Sequence, residues 1–154
     1  MTSEIDTSET VCPNTDIMGM KPNTYCMLIH LSQLLNLLSA SVPFLGVIVP
    51  IVLWLIAKDK SPLVDQHGKI VLNWLISLFI YAVACIVLSV ACSIGILLIS
   101  IAIGFPLFLP VSIMFFGLIV FLLGILILVF PIIGAIKANE GTAWKYPLSI
   151  PFFK

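Results

Sequence analysis

One long uncharged run constrains what this chain can fold into: residues 70–136 contain no charged side chain over 67 positions. A shorter uncharged run, residues 41–57, precedes it, and a polar segment at residues 58–69 separates the two runs. A transmembrane helix needs about 20 apolar residues, with a range of roughly 17–25. Hydrophobic residues make up 61% of the chain and charged residues 9%. Because so few charges could not cover the surface of a soluble fold, the sequence predicts an integral membrane protein.

The N-terminal segment differs from the rest of the chain in being polar and acidic. Four acidic residues there stand against one lysine, Lys21, and the apolar residues follow no regular period. This composition favours a disordered tail over a signal peptide, which would need a basic start and an apolar core. We therefore predict a disordered acidic tail, residues 1–22, and one transmembrane domain, residues 23–152. The formal net charge of zero gives no support to nucleic-acid binding.

The first apolar region, residues 23–57, is predicted to form a short helical hairpin. A single helix over this region would be about 50 Å long at ~1.5 Å per residue, too long for one crossing without extreme tilt. Pro43 suits the first turn of a new helix. We therefore expect helices near residues 23–38 and 43–57. One bent helix, which would leave three crossings in the chain, is the alternative.

The second apolar region is predicted to form two long helices. Ser61 and Pro62 suit the N-cap and first turn of helix three, which should end near residue 103. Two prolines and a glycine at residues 104–110 then break the helical pattern. Helix four should cover about residues 110–138. The predicted fold class is thus an all-α, polytopic membrane protein with four transmembrane helices, its two long helices following the short hairpin.

The lysines predict the orientation in the lipid bilayer. With four crossings, both termini and the 58–69 segment lie on one side, and all seven lysines lie there with them. The positive-inside rule places this side in the cytoplasm of a multi-pass plasma-membrane protein. Aromatic residues follow the same boundary, and they form either an interfacial belt or ordinary packing contacts: Trp54, Trp74, Trp144 and Tyr146.

Polar or small residues occupy each fourth position of helix three, and residues four apart are neighbours on a helix surface. This polar ridge consists of Asp65, Lys69, Asn73, Ser77, Tyr81, Cys85, Ser89 and Ser93. On helix one, His30, Gln33 and Asn36 share one sector. We interpret Asn73, Ser77 and Tyr81 as one side of a candidate polar seam, with the three helix-one residues opposite. The seam would serve either helix packing or a polar path for a substrate.

No motif for catalysis or metal binding occurs, so we expect no enzyme activity, no cofactor and no metal site. The four cysteines are widely spaced and predict no disulfide framework. Three polar residues at the start of helix three, Asp65, His67 and Lys69, form the candidate cytoplasmic contact surface. Its partner would be another protein or a second copy in a homo-oligomer.

Several motifs carry a resemblance to a known family over about residues 24–152. They are the 58–69 segment itself, Leu72-Asn73 after it, Trp54-Leu55-Ile56 before it, and Tyr146-Pro147-Leu148 near the end. The chain resembles the bacterial membrane proteins of domain-of-unknown-function 4870, which are similar to the twenty-kilodalton chloroplast inner-envelope translocon (Tic) subunit. The resemblance implies a four-helix protein of the bacterial inner membrane with both termini in the cytoplasm. No catalytic or binding residues come with it.

These observations predict a non-enzymatic, Tic-like membrane protein that acts through protein partners or self-assembly. The alternative is a component of a channel or transporter, with the polar seam between helices one and three as its path. Four short helices cannot enclose a wide conduit alone, so conduction would require an oligomer.

Overall fold

The computed structural model describes residues 16–38, 44–104 and 108–153, and its regular elements are all helical. This confirms the all-α prediction for the described ranges. The elements in chain order are α1 (Pro22–Leu31), a 3-10 turn (Ser32–Leu34), α2 (Leu35–Leu38), α3 (Leu45–Ala57), α4 (Pro62–Ile103) and α5 (Phe108–Asn139). The prediction of a disordered tail falls on residues 1–15, outside the described part, and on residues 16–22, where Ile17 is buried in the core.

The first apolar region folds back on itself as the predicted hairpin. The 3-10 turn links α1 to α2, and α3 packs against this turn and against both short helices. The side-chain oxygen of Asn36 accepts a hydrogen bond of 2.7 Å from the backbone N–H of Gly46 in the first turn of α3. Phe44, with φ at 70°, turns the chain into α3. The alternative of one bent helix is therefore wrong, and α3 begins two residues after the predicted position, Pro43, which lies outside the described part.

The two long helices have the predicted ends to within two residues. Ser61 is the N-cap of α4 with extended backbone, although its hydroxyl makes no capping hydrogen bond. Gly104, with φ at 72°, ends α4 in the left-handed conformation that glycine adopts without steric cost. Within the described ranges, α4 and α5 are long and apolar enough to cross a membrane, whereas α3 has 13 residues and spans about 20 Å.

The packed core lies at the charged end of the molecule. Buried residues of α4 are concentrated between Val64 and Ser77, and those of α5 lie between Pro131 and Ala138. Here α1 packs against both long helices and fills the space between them and α3. Beyond Phe79, the outer sections of α4 and α5 expose apolar side chains on most of their surface. A helix that is apolar all round requires an apolar environment, so lipid surrounds these sections.

Candidate functional site: a buried polar core and the C-terminal segment

Four side chains form a continuous buried hydrogen-bonded chain at the charged end, which we call the polar core. Gln33 Nε2 donates to the hydroxyl of Tyr146 over 3.1 Å. The same hydroxyl lies 2.7 Å from His30 Nδ1, and His30 Nε2 lies 3.0 Å from His67 Nδ1. Both imidazole rings have no solvent-exposed surface. The polar core thus ties α1, α4 and the residues after α5 to one another.

The direction of two of these hydrogen bonds depends on the tautomers of the histidines. Because the amide nitrogen of Gln33 can only donate, the Tyr146 hydroxyl accepts from it. With the proton of His30 on Nε2, His30 Nδ1 accepts from the Tyr146 hydroxyl and Nε2 donates to His67 Nδ1; with the proton on Nδ1, both directions reverse. In either case Nε2 of His67 is buried without a partner among the described residues. Burial lowers the pKa of His67, whose ring precedes the uncharged section of α4.

Close packing fixes the position of the polar core. The Tyr146 ring contacts the rings of Trp74, Phe130 and Trp144, with centroids 5.3 to 5.8 Å apart. A Cβ atom at Gly134 would lie 2.7 Å from His30 Nδ1 and 2.8 Å from the Tyr146 ring, so only glycine fits there. Trp74 and Tyr146 are buried in this cluster. Of the two interpretations of the aromatic residues, packing is therefore the correct one for Trp74 and Tyr146, and an interfacial belt is not.

The C-terminal segment, residues 142–153, is non-helical and returns along the polar ridge of α4. Tyr81 donates to the carbonyl oxygen of Leu148 over 2.6 Å. Nearer the start of α4, the Ser77 hydroxyl accepts from the backbone N–H of Ile150 over 2.8 Å. Asn73 accepts from the N–H groups of residues 152 and 153 and donates to the carbonyl oxygen of residue 153, over 2.8 to 3.0 Å. Three side chains of one helix therefore pair with five backbone groups of residues 148–153.

The structure divides the six residues of the candidate polar seam into three groups. His30 and Gln33 bond Tyr146, and Asn36 closes the first hairpin. The three residues of α4, Asn73, Ser77 and Tyr81, bond the C-terminal segment. Among the described residues, no hydrogen bond joins the two sides of the candidate polar seam directly. The physical reason is that the C-terminal segment offers unpaired backbone groups, which compete for the polar side chains of α4.

The three residues of the candidate cytoplasmic contact surface do not share one exposed surface. Asp65 accepts from Lys69 over 2.8 Å and from Trp54 Nε1 over 3.1 Å. The hydrogen bond from Lys69, together with that from Trp54, holds the pKa of this carboxyl below its ordinary value. Both charged residues are partly exposed, whereas His67 is fully buried against His30 and presents no surface to a partner. Gly68 lies against the Trp54 ring, where a Cβ would overlap it.

Sequence reasoning missed the central role of Tyr146 and of the segment that follows it. Pro147 and Pro151 favour a non-helical segment, as the structure shows, but they do not indicate the surface on which it lies. A search of the described residues for three or more histidine, cysteine or acidic side chains close enough to share a metal ion finds none. Hydrogen bonds and aromatic packing connect the residues of the polar core.

Fold and site together define a class: a small all-helical membrane protein with two long apolar helices and a buried polar core at one end. A family model described as the magnetosome magnetite crystal formation protein family (MamF/MmsF) matches residues 21–153. The chain belongs to this family. The resemblance to domain-of-unknown-function 4870 and to the Tic subunit is therefore wrong. Searches of curated proteins and of solved structures find no match.

Proposed function

We propose that this chain is a non-enzymatic protein of the magnetosome membrane that contributes to magnetite crystal formation. The observation that carries the proposal is the family match, which extends from the start of α1 to the end of the C-terminal segment. It includes the polar core and both long helices. The function therefore rests on the whole folded domain rather than on a short motif.

Placement in the membrane follows from the charges. Lys58, Lys60 and Lys69 lie between the two hairpins, while the α4–α5 connection has no charged residue. Both hairpins thus enter from the lysine-bearing side and return to it, with that side and both termini in the cytoplasm. The long hairpin crosses fully, and the short hairpin completes the four crossings. Because α3 spans only about 20 Å, the bilayer must thin locally around it.

The mode of action is contact with protein partners or with further copies of the chain. Within residues 16–38, 44–104 and 108–153, no third helix packs against the outer sections of α4 and α5, and most of their side chains are exposed. On α5, Cβ atoms at Gly117 and Gly124 would meet nothing within 4 Å. These glycines are seven residues apart and share one face, where another helix can approach closely. The channel alternative has less support, because Asn73, Ser77 and Tyr81 are already engaged by the C-terminal segment.

Deletion and complementation in a magnetite-forming host test the proposal. We expect the chain in the magnetosome membrane fraction, and we expect its deletion to change the size distribution of magnetite crystals in electron micrographs. Complementation with a Gly117→Leu/Gly124→Leu variant should restore the protein but not the crystals, because the two leucines block close approach. The matched control is Gly95→Leu on α4, where a Cβ also meets nothing within 4 Å. Unchanged crystals in the deletion strain would contradict the proposal.

A further inference from the structure

A cavity of about 310 Å³ lies between the first turns of α4 and the C-terminal segment. Gln66 and Lys69 line it from α4, and Lys145 and Ser149 line it from the opposite wall. Lys69 is the last charged residue before the 67 uncharged positions of the long hairpin. The cavity therefore opens at the level where α4 passes from water into the membrane. We call it the lysine cavity.

The charge of the lysine cavity is positive. Two lysines, Lys69 and Lys145, line it, and its lining residues include no acidic side chain. Lys145 is exposed and forms no ion pair within the described ranges. Lys69 gives one of its three N–H donors to Asp65 and keeps the others for a second acceptor. Two lysines held on facing walls repel each other, and an anion between them removes this repulsion.

The remaining lining residues are of two kinds. Gln66 and Ser149 supply neutral polar groups beside the lysines, whereas Ile70, Pro151 and Phe153 supply apolar surface. A small inorganic anion would gain nothing from the apolar side. A phosphate that is esterified to a lipid would place its charge between the lysines and its glycerol against the apolar side. Basic pockets on the cytoplasmic side of membrane helices bind such headgroups.

We propose that the lysine cavity binds a phosphate group, carried by the headgroup of an anionic phospholipid of the surrounding membrane. The bound headgroup would hold the C-terminal segment against α4, because one wall of the cavity belongs to each. This site differs from the exposed outer faces that the proposed function assigns to protein contacts.

The test is native mass spectrometry of the full chain, released from detergent micelles that contain phosphatidylglycerol or phosphatidylcholine. We expect the protein with the natural sequence to retain bound phosphatidylglycerol and little phosphatidylcholine. Lys69→Gln/Lys145→Gln should weaken phosphatidylglycerol retention on the order of tenfold. Lys58→Gln/Lys60→Gln is the matched control, since it removes the same charge on the same side, outside the cavity lining. Because all four lysines are at least partly exposed, neither variant should unfold the protein.

A third arm distinguishes the source of the phosphate. Inorganic phosphate is added to the lipid-free protein, and saturable binding that the cavity variant loses would confirm the phosphate chemistry with a free anion as its source. An Asp65→Asn variant should bind phosphatidylglycerol more tightly, because its carboxylate no longer competes for Lys69. Equal losses in the cavity variant and the control variant would overturn the proposal in favour of general surface attraction. Absence of binding by lipid and by phosphate would also overturn it.

Discussion

Asn73→Leu should release the end of the C-terminal segment from α4. Asn73 makes three hydrogen bonds with the backbone of residues 152 and 153, two as acceptor and one as donor, all between 2.8 and 3.0 Å. Leucine has the same number and branching of side-chain heavy atoms as asparagine but no polar atom. The substitution therefore removes the hydrogen bonds while it keeps the branched shape of the side chain.

The size of the effect follows from the number of hydrogen bonds. Each contributes about 1 kcal/mol net, so three contribute roughly 3 kcal/mol to holding the end of the segment in place. Since 1.4 kcal/mol is a factor of ten, the equilibrium for opening should shift about a hundredfold. Tyr81→Phe removes one hydrogen bond, to Leu148, and should shift it only about fivefold.

Hydrogen exchange of the protein in lipid nanodiscs measures this opening directly. Peptides that include residues 150–153 should exchange about a hundredfold faster in Asn73→Leu, while peptides from α5 should remain unchanged. The control is Ser93→Leu, which changes a polar ridge residue farther along α4 that makes no hydrogen bond with the segment. Exchange at residues 150–153 that is as slow in Asn73→Leu as in the natural sequence would refute the reasoning. A uniform acceleration over all helices would refute it as well, because it would indicate global destabilisation.

Three further predictions concern the polar core and use thermal unfolding in detergent. Gly134→Ala should destabilise the protein by about 1–3 kcal/mol, because its Cβ would lie 2.7 Å from His30 Nδ1, whereas Gly124→Ala should be tolerated. Tyr146→Phe should cost about 1–3 kcal/mol, because it removes the hydroxyl that joins two buried groups. The lowered pKa of His67 means that its stabilising contribution is full above about pH 6.5 and is lost as the pH falls, by up to about 1.4 kcal/mol per pH unit. His67→Gln should reduce this change of the unfolding free energy with pH. An unchanged pH dependence would show that other groups cause it.

The sequence predicted the helix ends well because their signals are local. Pro62 begins α4 and Gly104 ends it, each for a reason that lies in its own backbone preferences. The family prediction failed for a different reason. The motifs that carried it include Trp54, Asp65 and Gly68, which pack the first hairpin against α4. Such packing is a requirement of the fold, so residues that provide it do not separate one family from another.

The polar core was less accessible to prediction because its partners are far apart in the sequence. His30 and Tyr146 are separated by 116 positions, and no periodic pattern relates them. The sequence identified His30 and Gln33 as polar residues in need of a partner and placed helix three opposite them. His30 does contact α4, at His67, but the partner that both residues share is Tyr146. That partner is a tyrosine beyond the end of α5, and it is buried although most of the segment that follows it is exposed.

The four-residue spacing of the polar ridge has a geometric explanation. Four residues of an α-helix rise about 6 Å, and two residues of an extended chain cover about 6.6 Å. Side chains at every fourth position of α4 can therefore meet backbone groups at every second position of a segment running the opposite way. The observed pairs are Tyr81 with Leu148, Ser77 with Ile150 and Asn73 with Phe152. Non-helical backbone is tolerated at membrane depth only where protein groups satisfy it, and this ridge provides partners for five backbone groups of the C-terminal segment.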